Sequence, residues 1–219
     1  MLYTLYVFAT FQDIDHLMNE QTSPAFSIEA LRAGDRAEFA RLVDAFSAPI
    51  YRLGLKMLGN PQDAEDVLQN TFLNALTHLA GFEGRSSIST WLYRIASNEA
   101  LMLLRRKKTT LNFDDFEAGA EEDTPLPEVF VDWSELPEDQ LLSGESSTAL
   151  NDAVKRLPEP LRMVFVLRDV EGISIRDTAD ILNLTETNVK TRLLRARMAL
   201  RESLSAYYAE RIVRKENHD

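Results

Sequence analysis

The chain has 219 residues, 24 basic and 35 acidic side chains, a formal net charge of −11, 45% hydrophobic residues and no cysteine. That length suits one or two domains with a real core, and the missing cysteines exclude disulfides, thiolate zinc sites and a cysteine nucleophile. His16, His78 and His218 lack metal-ligand spacing, there is no Gly-rich phosphate loop or triad-like spacing, and no apolar run approaches the ~20 residues of a membrane span.

The acidity is local. Residues 1–108 carry 11 basic and 12 acidic side chains, residues 109–148 carry none and 12, and residues 151–219 carry 13 and 11. The flanks are near neutral and the middle segment holds the charge.

Met1 to Phe11 is apolar and aromatic, but it has no basic n-region and no small-residue cleavage site, so it makes a weak signal peptide. Residues 1–26 read as an N-terminal extension, either a disordered arm or the product of a start assigned upstream of Met18. A first domain spans residues 27–108. Ser27-Ile28-Glu29-Ala30 resembles a helix start and Gly34-Asp35 a break. Phe39, Leu42, Val43, Phe46, Ile50, Leu53, Leu55, Met57 and Leu58 then recur at helical spacing up to Gly59. The next helix has Asn60 as N-cap, Pro61 at its first position, and Asp63, Glu65 and Asp66 to complement the positive end of its dipole. Ala64, Leu68, Thr71, Ala75 and Leu79 line one side of it. Residues 81–87 form a loop. Ser89-Thr90 opens a helix through Trp91, Ile95 and Leu101 to Arg105-Arg106-Lys107-Lys108. No strand pattern competes, so the domain is all-α.

Residues 109–149 read as an acidic interdomain linker with three prolines, two glycines and no sustained helical period. Its Phe113, Phe116, Val129, Phe130, Val131 and Trp133 are too many for an inert spacer. Either the tether packs a few aromatics on its neighbours, or it is an acidic strand that occupies a basic channel; the residues alone favour the first. A second domain, residues 150–207, has two short helices split by Pro158 and Pro160 and ending at Glu171-Gly172. Ser174 caps a helix from Ile175 to Leu182, the turn Asn183-Leu184-Thr185 follows, and Thr185 caps a basic helix starting near Glu186. Residues 208–219 are a tail.

Val189 to Arg201 in that last helix holds Lys190, Arg192, Arg195, Arg197 and Arg201 and no acid. Helix, tight turn, basic helix is the layout of a helix-turn-helix DNA reader. At ~100° per residue, Val189, Leu193, Ala196 and Leu200 fall on one side and should pack on the preceding helix. Thr191, Leu194, Arg195 and Met198 fall opposite, with Lys190, Arg197 and Arg201 on the flank. An exposed Arg can pair with guanine and a Thr or Leu can meet a thymine methyl. A solvated arginine-rich helix would look similar, but the capped helix and short turn before it favour DNA.

Two separated motifs carry a family resemblance. Asp63-Ala64-Glu65-Asp66-Val67-Leu68-Gln69-Asn70-Thr71-Phe72, followed by FEGRSSISTWLYRIA from Phe82 to Ala96, resembles region 2 of the extracytoplasmic-function sigma factors of bacterial RNA polymerase. Leu157-Pro158-Glu159-Pro160-Leu161-Arg162, Glu171-Gly172-Ile173-Ser174 and Val189 to Arg197 resemble region 4. The match covers roughly residues 27–108 and 150–204, in the right order with a linker between.

The resemblance implies two all-α domains and an alternative sigma factor, with no catalytic residue, cofactor or metal. Its partners would be core RNA polymerase, promoter DNA and an anti-sigma factor, with no small-molecule substrate. Its place would be the bacterial cytoplasm, or the membrane surface if an anti-sigma factor holds it there. It assigns Asp66, Gln69, Asn70 and Leu73 to the clamp helices of the largest polymerase subunit, with Asn70 where the family usually has Glu. It assigns Phe82, Arg85, Ser86, Ser87, Trp91, Arg94 and Asn98 to the −10 element, where aromatic and cationic side chains hold single-stranded DNA. Read alone, Trp91 equally suits a buried stripe, and the basic run at 105–108 could simply complement the helix dipole. Lys190, Thr191, Leu194, Arg195 and Arg197 are assigned to the −35 element. The resemblance also favours the channel reading of the linker. The alternative, a stand-alone helix-turn-helix regulator, leaves the region 2 motifs without a job.

Overall fold

The computed structural model describes residues 26–111 and 144–216, and every regular element among them is helical. The readings of the N-terminal arm, of Phe113, Phe116, Val129, Phe130, Val131 and Trp133, and of the last three residues lie outside the described residues.

The first unit is α1 (Ile28–Arg32), α2 (Arg36–Leu58), α3 (Pro61–His78), a 3-10 turn at Leu79–Gly81, and α4 (Ile88–Leu111). Caps fix where these helices start. Ser27 Oγ accepts from Ala30 N at 3.2 Å and Asp35 Oδ1 from Ala37 N at 2.8 Å. Asn60 Oδ1 accepts from Gln62 N at 2.9 Å, with Pro61 following as expected. Between α2 and α3 the chain reverses at Gly59, whose φ of 71° is left-handed and suits glycine. α2, α3 and α4 pack on one another around Leu42, Ile50, Leu53, Met57, Val67, Leu92 and Ala96, all buried.

α2 and α3 approach most closely at Gly54. A Cβ there would lie 3.0 Å from the Ala64 backbone, and Ala64 is itself fully buried. Gly54→Ala should therefore destabilise the unit by roughly 1–3 kcal/mol through overpacking, outweighing alanine's better helix propensity. Urea denaturation would measure it, and a more stable variant would show that the two helices can part at no cost.

The second unit is α5 (Gly144–Arg156), α6 (Glu159–Phe165), a π-helical segment (Val166–Val170), α7 (Ile175–Leu182) and α8 (Glu186–Glu216). The π segment closes with Glu171 N donating to Val166 O at 2.9 Å, a five-residue reach that widens the helix. Ser174 Oγ caps α7 by accepting from Asp177 N at 3.0 Å, and Thr185 Oγ1 caps α8 from Asn188 N at 3.2 Å. Asn183 ends α7 at φ 54°, φ/ψ space that Asn tolerates better than most residues. α8 packs on α5, α6 and α7.

Three boundaries differ from the sequence reading. α4 opens at Ile88, one residue earlier than expected, because Ser87 Oγ accepts from Thr90 N at 3.0 Å. α5 begins at Gly144, inside the segment assigned to the linker. α8 runs to Glu216, past residue 207, because no Gly or Pro interrupts it.

The two units dock on each other. α4 packs against α7, and α2 against α5, α6 and the π segment. Arg162 on α6 crosses this seam. Its guanidinium donates to Met57 O near the C-terminus of α2 at 2.7 Å, to Leu157 O at 2.8 Å, and to Lys155 O. Those carbonyls lie at or just past helix C-termini, where acceptors lack intrahelical donors.

Candidate polymerase and promoter surfaces

Asp66, Gln69, Asn70 and Leu73 recur at three- and four-residue intervals and so share one face of α3. Gln69 and Leu73 are exposed, Leu73 at 62%, and Asp66 and Asn70 are partly exposed. The opposite side of the helix, with Ala64, Val67, Thr71 and Ala75, is buried in the bundle. An exposed Leu beside Leu76, also exposed, with flanking polar side chains, has the composition of a protein-docking strip. Asp63, in the first turn of the same helix, is buried and pairs with Lys107 of α4. That lysine of the 105–108 run therefore ties α4 to α3.

The loop before α4 and one face of α4 form a second surface. Gly84 (φ 71°) turns the loop, Arg85 and Glu83 form an exposed ion pair at 2.9 Å, and Ser86 sits beside them. Ser87 caps α4, and its Oγ also lies 2.7 Å from the hydroxyls of Ser89 and Thr90. The Phe82 side chain is buried beneath the loop, with its ring 5.2 Å from Trp91. Phe82 therefore supports Trp91 rather than presenting a surface of its own. Trp91 is only partly buried, between the two readings the sequence left open, and Asn98 is exposed on the same helix. Arg94 lies between them and donates through Nη2 to Asp180 O at 2.7 Å, in the last turn of α7.

The third surface belongs to α8. Val189, Leu193, Ala196 and Leu200 are all buried, as the helical wheel requires. This leaves Lys190 exposed and Thr191, Leu194 and Arg195 partly exposed. Arg197 is engaged within its own domain. Its Nε and Nη2 donate to the two Asp169 carboxylate oxygens at 2.9 and 2.8 Å. The Asp169 side chain is 2% exposed, so Arg197 is held by its own domain as the partner of a buried carboxylate. Glu171, two residues on, makes a similar fork with Arg52 of α2 at 2.6 Å to each oxygen. Tyr93 of α4 also donates to Glu171, at 3.3 Å. Burial, then the nearby Glu171 carboxylate, pushes the Tyr93 hydroxyl well above its usual range, so it stays a neutral donor. Burial, then the neighbouring Lys155 and Arg52 cations, pulls Lys56 down. None of these partners of Asp169 or Glu171 was visible in the sequence.

Residues 42–110 match the Sigma-70 region 2 family and residues 147–200 the Sigma-70 region 4 family. The chain is 37% identical over 177 residues to the ECF RNA polymerase sigma factor SigW of Bacillus subtilis, covering 81% of this chain and 94% of that one. It is 32% identical over 187 residues to the RNA polymerase sigma-H factor of Pseudomonas aeruginosa, covering 84% and 94%. This chain belongs to the extracytoplasmic-function sigma factors. It is an alternative sigma factor, and the presence of both regions in one chain disfavours a stand-alone helix-turn-helix regulator.

In this sigma factor, region 2 corresponds to most of α2 with α3 and α4, and region 4 to α5 through the basic half of α8. The fold is shared with CnrH, solved in complex with the cytosolic domain of CnrY, at a TM-score of 0.60 and 23% identity over 82% of this chain and 95% of that one. It is also shared with the sigma factor RpoE of Bartonella quintana, solved with the anti-sigma factor NepR, at 0.57 and 21% over 77% and 97%. Both relatives are sigma factors by name. Among the described residues, no helix is long and apolar enough to cross a membrane.

Proposed function

We propose that this sigma factor holds core RNA polymerase through the Asp66, Gln69, Asn70 and Leu73 face of α3. It reads the −10 element with Arg85, Ser86, Ser87, Trp91, Arg94 and Asn98, and the −35 element with Lys190, Thr191, Leu194 and Arg195. Phe82 acts by supporting Trp91, and Arg197 by holding Asp169. The observation that carries the reading is the buried stripe of α8, which turns the four −35 residues away from the core of their own domain. The chain works in the cytoplasm with an anti-sigma partner, as CnrH and RpoE were each solved with one bound protein. No step of bond-making falls to the chain itself, and initiation follows from binding energy directed at opening the −10 region.

The promoter coordinates set a distance. The two elements are about 25 base pairs apart by name, or ~85 Å at ~3.4 Å per pair. Each domain has a radius of gyration of only ~12 Å, so the docked pair cannot touch both elements at once. Residues 112–143 between α4 and α5 can reach ~110 Å when extended, enough to let the domains part.

Run-off transcription with core enzyme tests the reading. Absence of a promoter-specific transcript on every genomic fragment tried, from a folded chain, would sink it. Arg195→Ala should lose −35 discrimination by roughly 1–3 kcal/mol while leaving affinity for unrelated DNA little changed. Equal weakening on every sequence would make Arg195 a phosphate contact instead.

A further inference from the structure

One flank of α8 carries Lys190, Arg197 and Arg201, at spacings of seven and four residues that bring them close to one line of the helix. Position alone would send Arg197 to DNA. A recognition helix enters the major groove by its N-terminal residues. Arg197 lies ~10 Å further along the axis than Lys190. Over that length a helix crosses most of a groove about 12 Å wide and comes level with the phosphates at its rim. An arginine at the rim grips phosphate in any register and carries no sequence information.

Asp169 opposes this. Its carboxylate, in the π segment, takes Nε and Nη2 of Arg197 at 2.9 and 2.8 Å, the same fork of N–H groups that a phosphate would take. Asp169 is too deeply buried to meet DNA itself, while 31% of the Arg197 side chain still reaches solvent. The two anions compete for one pair of donors. The Asp169 contact is buried and little screened by salt, whereas a phosphate contact at the surface weakens as salt rises.

We infer that Asp169 withholds Arg197 from DNA phosphates and so restrains sequence-independent binding by region 4. It is a positioning residue, acting through Arg197 and never touching DNA. This rests on the assignment of α8 to the −35 element. Unrelated sites far outnumber promoters in a genome, so each phosphate contact left unmade shortens the time spent on them.

Asp169→Asn in the full-length chain tests it, titrated with a labelled duplex of mixed sequence. The amide keeps the carboxylate's shape but offers one acceptor and one donor. One N–H of the guanidinium then meets a donor, and the side chain turns to its solvent side. The variant should bind about threefold more tightly than the native chain at about 50 mM salt, with a log–log salt slope steeper by about 0.9, so that the advantage is gone near 200 mM. Adding Arg197→Gln removes the released cation and should restore native affinity and slope. Asp44→Asn, at an exposed position of α2, makes the same change in net charge and should leave the slope unaltered. With Asp169 in place, Arg197→Gln alone should also leave the slope unaltered; a shallower slope would show Arg197 already on phosphate and overturn the inference. So would an unchanged slope in Asp169→Asn, a gain that survives Arg197→Gln, or an equal gain in Asp44→Asn. Lys190→Ala separates this inference from the reading beneath it. Unaltered duplex binding in that variant takes α8 off DNA and overturns both. Weaker binding there, beside an unchanged Asp169→Asn, overturns the role of Asp169 alone.

Discussion

Arg197→Ala is expected to lower the unfolding free energy by roughly 3 kcal/mol, the low end for breaking a buried ion pair. The change removes a cation that grips both oxygens of Asp169, a carboxylate almost fully screened from water. Left alone, Asp169 must stay buried without its fork or pull the π segment away from α8. Arg197→Lys should recover only part of the loss, because an ammonium cannot reproduce two parallel N–H bonds to one carboxylate. Urea titration of the purified variants would measure this. A normally stable Arg197→Ala that no longer distinguishes −35 sequences would instead make Arg197 a base reader.

Asp66→Arg should weaken binding to core polymerase by at least about thirtyfold, the effect of losing ~2 kcal/mol at an interface hot spot. Asp66 shares its face with exposed Gln69 and Leu73, and its side chain is partly exposed. Surface changes of this sort leave stability within about 0.5 kcal/mol, so the loss would be one of recognition. Competition with a labelled native chain for core enzyme would quantify it. Equal affinity would remove α3 from the interface.

Much of this was legible in the sequence because it is local. Asn60, Ser174 and Thr185 each cap the helix they precede, since a short polar side chain reaches only its own first turn. The buried stripe of α8 followed from spacing alone. The helix at residue 88 was misplaced by one position because Ser87, Ser89 and Thr90 are all competent caps in a row, and only Ser87 has the geometry. What the sequence hid was long-range. Arg52 and Glu171 are 119 positions apart and follow no period. Arg197 sits on the flank of α8, where an arginine fits a phosphate as well as a carboxylate, and its pairing with Asp169 depends on the path of the π segment.

Arg162 sets how easily the seam can be closed again. It holds three main-chain carbonyls, two belonging to its own domain and one, Met57 O, to the other. Separation of the domains would break its bond to Met57 O and leave those to Leu157 and Lys155 within its own domain. With two of its three acceptors in its own domain, the guanidinium would hold its orientation through such a separation. Such an anchored donor favours rapid, repeatable re-docking over a search through rotamers. A sigma factor released from polymerase could then refold its seam without refolding either domain.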